Sequence, residues 1–215
     1  MIQMLAISLA PEDLIATVGL AGIGAIVFAE SGLLIGFFLP GDSLLFTAGA
    51  AAAGALQAIH VGFSYWTLLI VVVLAAIIGD QVGYLIGHRA GPTLFDRPDS
   101  RWFKRAHLER SGVFFEHHGP KALVIARFVP VVRTFVPVIA GASRMDYRKF
   151  VTFNVIGGTL WAAGVTTAGF WFGRIPLIRD HLEIAILSLV ALSLIPIVVE
   201  VARARRAPAT AAEDA

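Results

Sequence analysis

The stretch ESGLLIGFFLPGDSLLFTAGA, residues 30–50, decides how the chain must be read. Its flanks are oily enough to lie in lipid, yet it carries two carboxylates, Glu30 and Asp42, and a Pro40-Gly41 pair that ends any helix passing through it. A membrane segment with two acids and a broken backbone needs an explanation in terms of what surrounds it.

The rest of the chain makes lipid the setting. Of 215 residues, 57% are hydrophobic and only 15% charged, too few charges to cover a water-soluble domain of this size. Runs such as WTLLIVVVLAAIIG from Trp66 and IAILSLVALSLIPIVV from Ile184 have the length and composition of bilayer-spanning helices. No alternating strands suggest a β-barrel. The chain has no cysteine, which excludes disulfides, thiolate catalysis and cysteine-ligated metal.

Apolar segments cover roughly 13–29, 31–54, 66–88, 121–143, 147–173 and 184–202. Two of them, 31–54 and 121–143, hold central prolines with charges beside them, and these predict re-entrant hairpins of two half-helices. The expected fold is therefore an all-α integral membrane protein of about four spanning helices plus two re-entrant helical hairpins. Residues 1–202 form a single membrane domain with a core at about 28–173, and 203–215 a disordered tail.

Basic residues set the orientation. The stretch from Arg89 to Lys121 holds Arg97, Arg101, Lys104, Arg105 and Arg110, and the tail holds Arg203, Arg205 and Arg206. The positive-inside rule places both in the cytoplasm, and the N-terminus with them. The two hairpins then enter from opposite faces, as in an inverted repeat. FLPGDSLLFTAGA from Phe38 and FVPVVRTFVPVIAGA from Phe128 share Phe-x-Pro, a charge followed by a hydroxyl residue, a Phe and Ala-Gly-Ala. Between the halves, residues of about 99–118 suit a helix on the cytoplasmic membrane surface, with Trp102, Phe103 and Phe114 dipping into lipid.

An ionisable group near the bilayer centre costs roughly 2.5–3.5 kcal/mol on the mildest insertion scale, so Glu30, Asp42, Arg127 and Arg133 must face protein, water or one another. After Pro40-Gly41, Asp42 or Ser43 is placed to cap the next half-helix. Beyond Pro130, Thr134 is placed to do the same, with Pro137 in the first turn. Each hairpin would thus aim a helix N-terminus at the interior. Arg127 and Arg133 add guanidinium forks that match phosphate oxygens, while Glu30 and Asp42 could exchange protons during transport. The plainer alternative is that these acids only neutralise the arginines. Asp80 and Asn154 read as structural polar contacts, and Gly79, Gly83, Gly87, Gly157 and Gly158 as sites of close helix packing. The Glu116-His117-His118 run suggests no metal, because adjacent histidines do not share a helix face. No nucleophile with an evident base marks an enzyme, no cofactor motif is present, and nothing points to nucleic acid.

The motifs at 30–42, GDQVGYLIG at 79–87, RFVPVVRTFVPVIAG at 127–141, and F-x-x-x-N-x-x-G-G-x-x-W from Phe150 to Trp161 together resemble the DedA family, the SNARE-associated or VTT domain. The resemblance implies a multi-pass protein of the bacterial inner membrane that recycles the lipid carrier undecaprenyl phosphate, coupled to protons or other ions. It also implies functional acids at Glu30 and Asp42 and functional arginines at Arg127 and Arg133. Many members carry Glu where this chain has Asp42, so the carboxylate is kept and shortened. The expected partners are membrane lipids, a polyprenyl phosphate, protons and a second copy of the chain. A carrier of small anions and a structural protein of the cell envelope are the alternatives.

Overall fold

The structure is a computed structural model and describes residues 11–33, 41–55, 62–95, 121–127 and 130–176. Among these residues there are six helices and no strands: α1 (Pro11–Gly32), α2 (Gly41–Ala52), α3 (Tyr65–Phe95), α4 (Lys121–Ala126), α5 (Pro130–Ala142) and α6 (Tyr147–Phe172). Three are long and apolar enough to cross a membrane, over Ile15–Gly32, Tyr65–Gly91 and Tyr147–Phe172. The expected fourth span at 184–202, the surface helix at 99–118, the tail and Pro40 lie outside the described residues.

The packing is that of a protein dissolved in lipid. On α3 the large side chains Trp66, Ile70, Leu74, Ile78 and Leu85 are exposed at helical spacing, while the buried face carries Ala76, Gly79, Asp80, Gly83 and Gly87. On α6, Val155, Ile156 and Leu160 face outward, and Asn154, Gly157, Gly158, Ala162 and Thr166 face inward. Small and polar residues inside with bulky apolar ones outside is the distribution expected when the solvent is hydrocarbon and helices associate by close approach.

Glycines make that approach possible along two seams. Between α2 and α6, Gly49 lies on the Thr166 carbonyl, Gly169 on the Phe46 carbonyl and Gly173 on Ala50. Between α5 and α3, Gly141 lies on the Tyr84 carbonyl, Gly87 on the Val138 carbonyl and Gly91 on Ala142. The residue spacings of the two seams are identical, and a Cβ at any of the six glycines would collide with its neighbour. The helix ends match as well. Ser64 Oγ accepts from the Thr67 N–H at 3.2 Å at the start of α3, as Asp146 Oδ1 accepts from the Lys149 N–H at 3.0 Å at the start of α6. After α2, Gly54 turns left-handed (φ 77°) and Ala55 N–H returns to the Ala50 carbonyl. After α5, Arg144 turns left-handed (φ 55°) and Met145 N–H returns to the Ala140 carbonyl.

These contacts fix directions. The start of α3 meets the end of α6, where Tyr65 stacks on Phe170 at 4.2 Å, and Tyr147 at the start of α6 packs on Tyr84 in the second half of α3 at 5.5 Å. The two long helices are therefore antiparallel. Helix α2 finishes beside the end of α6 and α5 beside the end of α3, so α2 and α5 run to opposite ends of the bundle.

Three local expectations change. Helix α1 continues through Glu30 to Gly32, with a left-handed residue at Gly19 (φ 59°) interrupting it. Helix α5 starts at Pro130, where the missing N–H costs nothing, so Thr134 is an interior residue and not a cap. Pro137 likewise lies inside α5, and the helix passes through it. Its ring removes the bond that position 137 would have donated to the Arg133 carbonyl and crowds that carbonyl.

Candidate functional site

The N-terminus of α2 and the first turns of α5 meet where α1 ends. Arg133, the fourth residue of α5, reaches two acids from two other helices. Its Nη2 donates to Glu30 Oε1, from α1, and its Nη1 donates to Asp42 Oδ1, from α2, at 2.5 Å. The guanidinium also lies over the indole of Trp161 on α6, 4.5 Å from the ring centroid. The indole Nε1–H donates to the same Asp42 Oδ1 at 2.8 Å. Four helices thus contribute one side chain each to a single charged centre.

Glu30 sits against the backbone at the start of α2. A Cβ at Gly41 would overlap the Glu30 carboxylate, so Gly41 does more than break a helix. Only glycine lets an acid from α1 lie on the positive end of α2. Asp42, one of the two residues expected to cap α2, turns its carboxylate to Arg133 and Trp161, and the Glu30 charge occupies the helix end.

Arg127 belongs to a second centre. It pairs with Asp80 of α3, and its Nη2 donates to Asn154 Oδ1 of α6, while Asn154 Nδ2 donates to the Ile77 carbonyl at 3.2 Å. Gly157 and Gly158 make the cradle for this side chain: a Cβ at Gly157 would stand 2.9 Å from Arg127 Cδ, and one at Gly158 3.5 Å from its Nη1. The expected close packing at these glycines is therefore packing against an arginine as well as against the α4 backbone. Asp80 and Asn154, read from sequence as structural contacts, are Arg127's partners.

The sequence placed both arginines in one anion site beside Glu30 and Asp42. The structure divides them. Glu30 and Asp42 both go to Arg133, and Asp80 goes to Arg127. Exposure separates the centres further. The Arg127 and Asp80 side chains are 9% and 2% exposed, whereas Asp42, at 19%, is the most accessible member of either centre. Two roles escaped the sequence reading: Trp161 as hydrogen-bond donor and cation platform, and Gly41 as the seat of Glu30. Trp161 had a signal, since it closes the motif whose Asn154, Gly157 and Gly158 all proved to hold Arg127.

Among the described residues no group of three His, Cys, Asp or Glu side chains could hold a metal ion. The arrangement offers one guanidinium held by two acids at a helix start, surrounded by apolar helices. That is a place where an oxyanion can exchange with a carboxylate.

The VTT domain family pattern matches residues 39–171, which contain every member of both centres except Glu30. The chain is 44% identical to Protein DedA of Escherichia coli over 188 residues, 87% of this chain and 84% of that protein. It is 46% identical to an uncharacterized membrane protein of Mycobacterium tuberculosis over 87% of this chain and 81% of that one. It is 38% identical to the inner membrane protein YqjA of Escherichia coli over 80% of this chain and 74% of that protein. No solved structure matches the chain. With the family pattern spanning most of the helical bundle and relatives aligned along nearly the whole chain, this integral membrane protein belongs to the DedA family.

Proposed function

We propose that the chain moves a lipid phosphate of the polyprenyl type across the cytoplasmic membrane of the cell, with Arg133 holding the headgroup and the isoprenoid tail remaining in lipid. The observation that carries this reading is the Arg133 guanidinium, buried between two carboxylates and an indole inside an apolar bundle. A monophosphate carries roughly −1.5 to −2 charge near neutrality, and its oxygens suit the guanidinium fork better than an ammonium. Arg127, tied to Asp80 and Asn154, acts as the second positive charge that steadies the bound anion.

Charge balance supports proton coupling. The two centres hold three acids, Glu30, Asp42 and Asp80, against two arginines, so an anion entering them needs positive charge to accompany it. Glu30 Oε2 is buried against Gly41 with no side-chain hydrogen-bond partner among the described residues, and it is the position at which an accompanying proton would sit. Glu30 and Asp42 are thus the coupling acids of the proposal, and the protein is a carrier, not an enzyme.

We also read α2 and α5 as the inner arms of two hairpins that enter from opposite faces, with the cytoplasm at the end of α3. Their starts lie together near the middle of α6, they run to opposite ends of the bundle, and their seams match glycine for glycine.

The test is translocation of undecaprenyl phosphate in proteoliposomes, with and without a proton gradient. Wild type should move the lipid above empty liposomes, faster with the gradient, and Glu30→Gln and Arg133→Ala should lose this at matched levels of folded protein. Inactive wild type with both mutants well folded would refute lipid-phosphate transport. Uptake of inorganic phosphate by the same liposomes would then identify a small-anion carrier.

A further inference from the structure

If a phosphate takes the Arg133 guanidinium, a carboxylate must release it, and the structure indicates which. Glu30 is 3% exposed and lodged on the α2 backbone, whereas Asp42 is 19% exposed and bound to Nη1 of the fork. Asp42 is the partner that yields. Released, it would be an acid near the middle of the bundle without its cation, a costly state unless another donor remains.

We propose that Trp161 is the positioning residue for this exchange: its indole N–H keeps Asp42 in place while phosphate displaces Asp42 from Arg133, and its ring keeps the guanidinium at the same height. The inference rests on the reading of Arg133 as the phosphate holder. Trp161 Nε1 and Arg133 Nη1 converge on one oxygen, Asp42 Oδ1, at 2.8 and 2.5 Å, so that oxygen keeps a donor when Arg133 departs. Indole only donates, so it cannot compete for the guanidinium through a hydrogen bond. Its face attracts the cation, 4.5 Å from the guanidinium carbon, without accepting a hydrogen bond from the nitrogens that hold Glu30 and Asp42. Trp161 is itself immobilised: it is 3% exposed and belongs to the core cluster that includes Leu44, Leu45, Ala48 and Ala162. The acid is therefore handed from a charged donor to a fixed neutral one within the same geometry.

Two measurements test this on the full chain in phosphatidylcholine nanodiscs, with decyl phosphate as the probe. In the first, Trp66→Phe, Trp102→Phe and Trp171→Phe leave Trp161 as the only fluorophore of its kind. Its emission should shift saturably as decyl phosphate is added, and the shift should vanish with Arg133→Ala. In the second, Trp161→Phe keeps an aromatic face and removes the N–H. Decyl phosphate affinity, measured by calorimetry, should fall about tenfold to a hundredfold, the range for one hydrogen bond to a charged group. The same substitution in an Asp42→Asn background should cost less than about threefold, because a neutral amide does not need that donor. Calorimetric binding with unchanged Trp161 emission, or equal losses from Trp161→Phe in both backgrounds, would overturn the role of Trp161 and leave the Arg133 reading standing. No decyl phosphate binding by either method would defeat the Arg133 reading, and this inference with it.

Discussion

Two buried arginines, six residues apart in sequence, have been given opposite surroundings. Arg127 meets one acid and one amide, Asp80 and Asn154, whose own second contact is a backbone carbonyl, and two glycines shape a cradle around its stem. Arg133 meets two acids on separate helices and an aromatic face, with Asp42 partly open to the outside. The first arrangement is closed and matches one acid to one arginine, and it ties α3 and α6 to the end of α4. The second is over-supplied with negative charge and has one yielding edge. A buried ion pair with every partner in place fixes structure, whereas one with an excess of acid can trade a partner for a ligand. Under the proposed function, the difference makes Arg133 the cation that exchanges partners and Arg127 the fixed charge beside it, held in the frame.

The most severe way to break that contrast is to strip Arg127 of its acid. Asp80→Ala leaves a buried guanidinium with only Asn154, and should cost about 3–5 kcal/mol, read as a large drop in the denaturation midpoint in detergent. Removing both charges, with Asp80→Leu and Arg127→Leu together, should recover much of that stability. A frame needs matched partners more than it needs charge. If the single and double variants were equally unstable, the pair would be more than a frame.

A middle-sized effect belongs to the amide. Asn154→Ala removes the acceptor for Arg127 and the donor to the Ile77 carbonyl, and should destabilise by about 1.5–3 kcal/mol. Gly41→Ala should match it in size by a different route, since its Cβ would push the Glu30 carboxylate off the start of α2, an overpacking cost of about 1–3 kcal/mol. The two should differ in what they spoil. At temperatures where both are folded, the Asn154 variant should retain most transport, and the Gly41 variant should lose it because Glu30 no longer meets Arg133. Equal transport in the two would erase the division between frame and exchange.

What the sequence made legible follows from composition and local chemistry. The membrane setting, the acids at 30 and 42, the arginines at 127 and 133, and the small residues of the packing faces are properties of residue type and spacing. The allocation of partners was not legible, because it depends on how α1, α3, α5 and α6 are rotated about their axes. Nothing local to Arg127 says that it faces Asp80 and not Asp42. Asp80 itself was the missed clue: an acid in the middle of an apolar span calls for a cation, and its neighbours Gly79 and Gly83 mark the face it points from. The reading of Thr134 as a cap failed because two prolines, at 130 and 137, compete to begin α5, and the first position, where a missing N–H is harmless, takes precedence.

The smallest change in stability sharpens the contrast most. Arg133→Lys keeps one positive charge facing Glu30 and Asp42, so the charge balance of the centre is unchanged and the fold should lose no more than about 1 kcal/mol. What disappears is the fork. A single ammonium cannot hold Glu30 on one nitrogen while presenting another to a phosphate oxygen, and its compact, strongly hydrated charge stacks less well on the Trp161 face. Transport should therefore fall at least about tenfold in a protein whose denaturation midpoint barely moves. Lysine at Arg127 should do the reverse, unsettling the fold while sparing much of the transport that survives, because there one nitrogen, Nη2, meets both Asp80 and Asn154 and the flat guanidinium fills the cradle of Gly157 and Gly158. If lysine at 133 carried lipid phosphate at the wild-type rate, positive charge alone would suffice at this centre, and its two acids would be there only to hold α1, α2 and α5 together.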